Sequence, residues 1–140
     1  MTEPIIVAKL YASGDAHQIF CLFEDGRSEV FEFFDAVHSQ REKRSAQATF
    51  VRRIGNIADI GLDQLTVDWL SCWTEKKAGG MFCELKAKKR YRISYFRYPG
   101  NRILLATFFT KAKQVETKQY RRAMQVNARF GVKPEWKMEW

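Results

Sequence analysis

Two short runs near the start of the chain, Ile5 to Tyr11 and Gln18 to Phe23, carry the apolar spacing of strands, and the turn-rich triplet Ser13-Gly14-Asp15 between them makes a hairpin of the pair. The period then changes. After Glu24-Asp25-Gly26, the residues Val30, Phe33, Phe34 and Val37 form one apolar face, with Ser28 placed to cap a helix and Glu29 and Glu32 suited to its positive end. A second helix is expected from about Glu42 to Ile60, where Ala46, Phe50, Ile54, Ile57 and Ala58 recur at helical spacing and Gly61 stands ready to end it. Residues 62–77 follow neither period and receive no assignment, although Leu65, Val67, Trp69 and Trp73 are expected to be at least partly buried.

Alternation returns after Gly79-Gly80. Met81 to Ala87, Tyr91 to Tyr98 and Arg102 to Thr110 read as three strands, the last two joined by Tyr98-Pro99-Gly100-Asn101, in which proline presets the turn and glycine accepts a positive φ. Tyr120, Ala123, Met124 and Ala128 predict a last helix over Glu116 to Phe130, ending at Gly131. The elements predict an α+β fold, a twisted antiparallel sheet with two N-terminal helices packed on it and a C-terminal helix. The chain has 140 residues, 46% of them hydrophobic and 14% aromatic, and no repeat or linker divides it. One domain, 1–140, is expected.

Charge changes the picture because it is local. The net charge is +8, and the basic excess lies in residues 81–122, where only Glu84 and Glu116 oppose the lysines and arginines. A block of this kind suits a polyanion, since each phosphate neutralised releases counterions. On the strand from Tyr91 to Tyr98, alternation puts Tyr91, Ile93 and Tyr95 on one face and Arg92, Ser94 and Phe96 on the other, beside Arg90. Lys86, Lys88, Lys89, Arg97 and Lys111 complete a basic patch with aromatic residues among it, which fits RNA. Cys21, Cys72 and Cys83 are widely spaced and odd in number, and His17 and His38 alone do not complete a metal set, so three reduced thiols, no metal and no cofactor are expected. No apolar stretch approaches the roughly 18 residues of a membrane helix, and the cytoplasm is the expected compartment.

The ordered set FCLFEDGRSEVFEFFDAV, RSAQATFVRRIGNIADIGL, MFCELKAKKRYRISYF, ILLATFFTKAKQ and KQYRRA resembles the RelE/HigB superfamily of toxins from type II toxin-antitoxin modules, in its phage-derived HigB-like branch. The resemblance spans residues 18–130, leaving the strand over 5–11 and the tail over 131–140 outside it. It implies a RelE-like domain that cuts mRNA, often on the ribosome and without metal, and that is held inactive by an antitoxin, here a helix-turn-helix protein of the HigA kind. By the same resemblance Arg92 acts on the phosphate, Tyr120 assists proton transfer, and Lys86 and Lys113 are basic site residues. The chain departs from the pattern in two places. It has Ala106-Thr107-Phe108 where many relatives carry a histidine, and Glu84 where RelE has a lysine. A non-catalytic binder of the same fold, either a gyrase inhibitor like the ParE toxins or an RNA-binding phage remnant, is the alternative.

Overall fold

The computed structural model describes residues 6–62, 69–75, 80–98, 100–110 and 137–139. In chain order they form β1 (Ile6–Ser13), β2 (Gln18–Glu24), α1 (Glu29–Asp35), α2 (Arg41–Ile60), β3 (Leu70–Glu75), β4 (Gly80–Ala87), β5 (Tyr91–Tyr98), β6 (Arg102–Thr110) and β7 (Lys137–Glu139). All strands belong to one seven-stranded sheet in the order β3-β4-β5-β6-β2-β1-β7. The sheet is mixed rather than antiparallel as expected. β1–β2 and β3 to β6 pair antiparallel, but β2 lies parallel to β6 and β7 parallel to β1. The physical reason is the return path: the chain leaves β2 through both helices and re-enters at the far side, so the next neighbour of β2 runs in its own direction. The predicted helix over 116–130 lies outside the described residues. β3 occupies part of the unassigned stretch, and β7 comes from the tail.

α1 is too short to stand alone, and its ends are held by neighbours. Phe31 N–H donates to Ser28 Oγ at 3.2 Å, as the cap predicts. At the other end the Gln47 amide of α2 donates to the carbonyls of Phe33, Phe34 and Ala36 at 3.1, 2.8 and 3.2 Å. The helix ends at Asp35 and Ala36 is extended. Val37 therefore leaves the expected apolar face and is 98% exposed.

α2 buries Ala46, Phe50, Ile54, Ile57 and Ala58, the stripe read from its spacing. These pack with Ile19, Cys21, Leu85, Tyr91, Ile93, Tyr95 and Leu105 on one sheet face. Removing a side chain the size of Phe50 from water stabilises by about 1.5–3 kcal/mol. The opposite face holds a second cluster of Ala8, Phe20, Leu22, Phe96, Leu104 and Ala106. The predicted faces of β5 are thus observed, with Tyr91, Ile93 and Tyr95 toward the helices and Phe96 away from them. Between Ser94 and Tyr95 the register with β6 shifts, so that Ser94 pairs with Thr107 and Tyr95 with Leu105. Ala106 is the extra residue, a bulge that turns Thr107 toward Ser94.

Candidate nucleic-acid interface

The basic run from Lys86 to Arg92 spans the hairpin between the two strands read from the sequence. β4 ends at Ala87, and Lys88, Lys89 and Arg90 form the turn into β5. Lys88 has φ 55, a left-handed conformation that costs a residue with a Cβ some strain and reverses the chain sharply. All three turn residues are exposed, where water separates their like charges. Arg90 makes a bidentate pair with Glu42 in the first turn of α2, at 3.2 and 3.0 Å. The hydrogen bond to Glu42 raises the Arg90 pKa further, so it is always charged. The pair ties the hairpin end to α2.

Arg92 differs from the expected surface cation. It is 6% exposed, and its fork is turned inward: Nη1 donates to Tyr91 O at 2.9 Å and Nη2 to Lys89 O at 3.2 Å. Nε lies 3.6 Å from Glu84 Oε1, and Glu84 is 1% exposed. The cause is the register. Glu84 faces Ser94 and Lys86 faces Arg92 across β4–β5, so Arg92 and Glu84 share a sheet face as diagonal neighbours, two register positions apart. Beyond them Thr107 N donates to Ser94 Oγ at 3.0 Å, and the two hydroxyls also bond. Glu84, Arg92, Ser94 and Thr107 make a buried polar group beside the bulge.

Lys86 is half-buried next to Arg92, Lys88 and Lys89 are free of the sheet, and Arg90 is shared with α2. Arg97 is exposed but lies toward the other end of β5, roughly 16 Å from Arg92 at 3.3 Å per residue. It is not part of the cluster. Tyr120, Lys111 and Lys113 lie outside the described residues. Sequence reading missed Arg53, whose guanidinium carbon sits 4.7 Å from the centroid of the Trp69 ring and which donates to Lys86 O. The Arg52-Arg53 pair was visible as charge, but its neighbour Trp69 fell in the unassigned stretch.

The expectation of three reduced thiols is corrected. Cys83 is disulfide-bonded, and the β3–β4 register sets Cys72 opposite it. Strand pairing brings together what a linear spacing does not reveal. Cys21 is free and buried, which pushes its pKa up to about 12. Among the described residues no cluster of potential ligands could hold a metal ion, and no helix is long and apolar enough to cross a membrane. At the far end of the sheet Gly14, Asp15, His17 and Asn101 line a polar cleft of about 200 Å³, away from the basic turn.

Comparison of the chain with known protein families, with characterised proteins and with solved structures finds no match in any of the three. Fold and site define the class as an α+β domain with a basic hairpin end.

Proposed function

We propose that the chain is an RNA-directed toxin of the RelE/HigB kind that binds message through the end of the β4–β5 hairpin. One observation carries the reading: Lys88, Lys89 and Arg90 are exposed at the hairpin tip, and Lys86 and Arg92 face each other in register directly behind them. Flexible lysines at a tip meet phosphates as point charges, and a planar guanidinium anchored by Glu42 keeps a fixed direction. The resemblance to mRNA-cutting toxins supplies the reaction. A 2′-hydroxyl attacks the adjacent phosphate, a base takes its proton, and an acid protonates the departing 5′ oxygen. Tyr120 with Lys86 and Lys113 would carry the protons, and an antitoxin with an acidic segment would cover the tip, since complementary charge speeds association.

The inward fork of Arg92 favours a second reading, in which the domain binds RNA without cutting it. Induced expression without a partner separates them. Growth arrest with shortened transcripts is the outcome expected of the toxin; RNA binding with intact transcripts establishes the binder. Arrest with intact mRNA and blocked DNA replication would point to gyrase and sink both.

A further inference from the structure

We propose that the Arg53–Trp69 pair, at the seam between α2 and the β3–β4 edge, is a stacking platform for one unpaired base of a bound RNA; this rests on the RNA-binding reading above. Arg53 carbon Cζ lies over the Trp69 ring at 4.7 Å, and its Nη1 donates to Lys86 O, so the guanidinium plane is fixed. Lys86 N–H donates to Trp69 O at 2.7 Å, which holds Trp69 beside the basic strand. The Trp69 side chain is only partly buried.

Among the described residues no salt bridge joins a carboxylate to Arg53. Arg53 Nε is buried with no hydrogen-bond partner among the described residues, and burial first, then the neighbouring Arg52, lower the Arg53 pKa from its usual value. A pin between helix and strand would be served by an apolar contact or by a carboxylate; an arginine held over a partly buried indole suits an anion that brings its own aromatic face. Along α2, Glu42 with its Arg90 partner and Arg53 with Trp69 stand roughly 16 Å apart at 1.5 Å per residue. One seam therefore offers phosphate contacts at the hairpin tip and a π-face further along, the combination single strands use.

The test compares a labelled 12-nucleotide oligouridylate with an abasic ribose-phosphate chain of equal length. Trp69→Leu should lower affinity for oligouridylate on the order of 10-fold and leave the abasic chain unchanged. Trp69→Phe, which keeps a ring, should restore most of the loss, and an unchanged urea midpoint for both variants shows that the fold survives. Equal loss on both chains, or none on either, overturns the platform while RNA binding by the parent stands. Failure of the parent to bind either chain overturns the RNA reading and this one with it. Polyglutamate binding with the same Trp69 dependence would assign the seam to a protein partner and also overturn the proposal.

Discussion

Replacing Glu84 and Arg92 singly and together should show that each needs the other far more than the fold needs both. Their side chains are 1% and 7% exposed, with Nε 3.6 Å from Oε1. That distance exceeds a charge-assisted hydrogen bond, so the attraction is that of two point charges, worth roughly 4–5 kcal/mol at an effective dielectric near 20. Desolvating two ions costs several kcal/mol each, which leaves the intact pair with little net stabilisation. Arg92→Met takes the Arg92 cation away from the buried Glu84 carboxylate, and should cost about 3–5 kcal/mol. Glu84→Leu should cost less, about 2–3 kcal/mol, because Arg92 keeps its two carbonyl acceptors. The double variant should fall within about 1 kcal/mol of the parent. Urea unfolding of the four proteins at one salt concentration, with slopes compared, gives the coupling energy. Additive costs, with the double variant the least stable of the set, would refute the reasoning and would leave the Arg92 guanidinium available to a phosphate.

Raised acidities predict alkaline weakening: burial lifts Cys21 from 9.0 to about 12 and Tyr95 from 10.0 to about 12, with Arg97 opposing the latter. The folded state then holds protons the unfolded chain has released, so this stabilisation is full below about pH 9 and is lost as pH rises toward 12; a urea midpoint that stays flat from pH 8 to 11 would contradict it. Ser94→Ala removes the acceptor of Thr107 N and the partner of its hydroxyl, and should cost about 1–3 kcal/mol by urea unfolding, against no loss if the bulge relaxes. Lys88→Ala with Lys89→Ala should leave the unfolding midpoint within about 0.5 kcal/mol and make the salt dependence of RNA affinity shallower by about 1.4 in log–log slope, the value for two single-strand phosphates; an unchanged slope would remove the hairpin tip from the interface.

Local patterns were legible because they depend on neighbours in sequence. The α2 stripe, the Ser28 cap and the two faces of β5 follow from spacing alone, and all three are observed. What depended on partners was not legible. Whether Arg92 is exposed turns on which β4 residue lies across from its neighbours, and Glu84 meets Ser94 only through the register. Val37 continued an apolar period that the chain abandons at Ala36, where Gln47 takes over the helix carbonyls from a distant element. Trp69 gained meaning only when α2 laid Arg53 over it. The charge block pointed to the right stretch of chain, and alternation gave the strand ends at Ala87 and Tyr91, but not the left-handed backbone at Lys88 that makes the turn between them.

The parallel seam between β2 and β6 also governs when the molecule becomes whole. β1–β2 is a local hairpin and β4 to β6 form a meander of near neighbours, whereas Gln18 must meet Arg102 and the His17 ring must meet Asn101 O across 84 residues. Closing so long a loop costs entropy that no early contact offsets, and folding slows as such non-local pairs come to dominate. During synthesis the first hairpin and both helices emerge with their sheet partner still unmade, so the open edge of β2 waits for β6. The basic hairpin tip forms from local contacts, yet the sheet that supports it closes only after residue 105 has left the ribosome. The chain therefore has an interval between making its charge-bearing turn and acquiring the rigid frame that aims it.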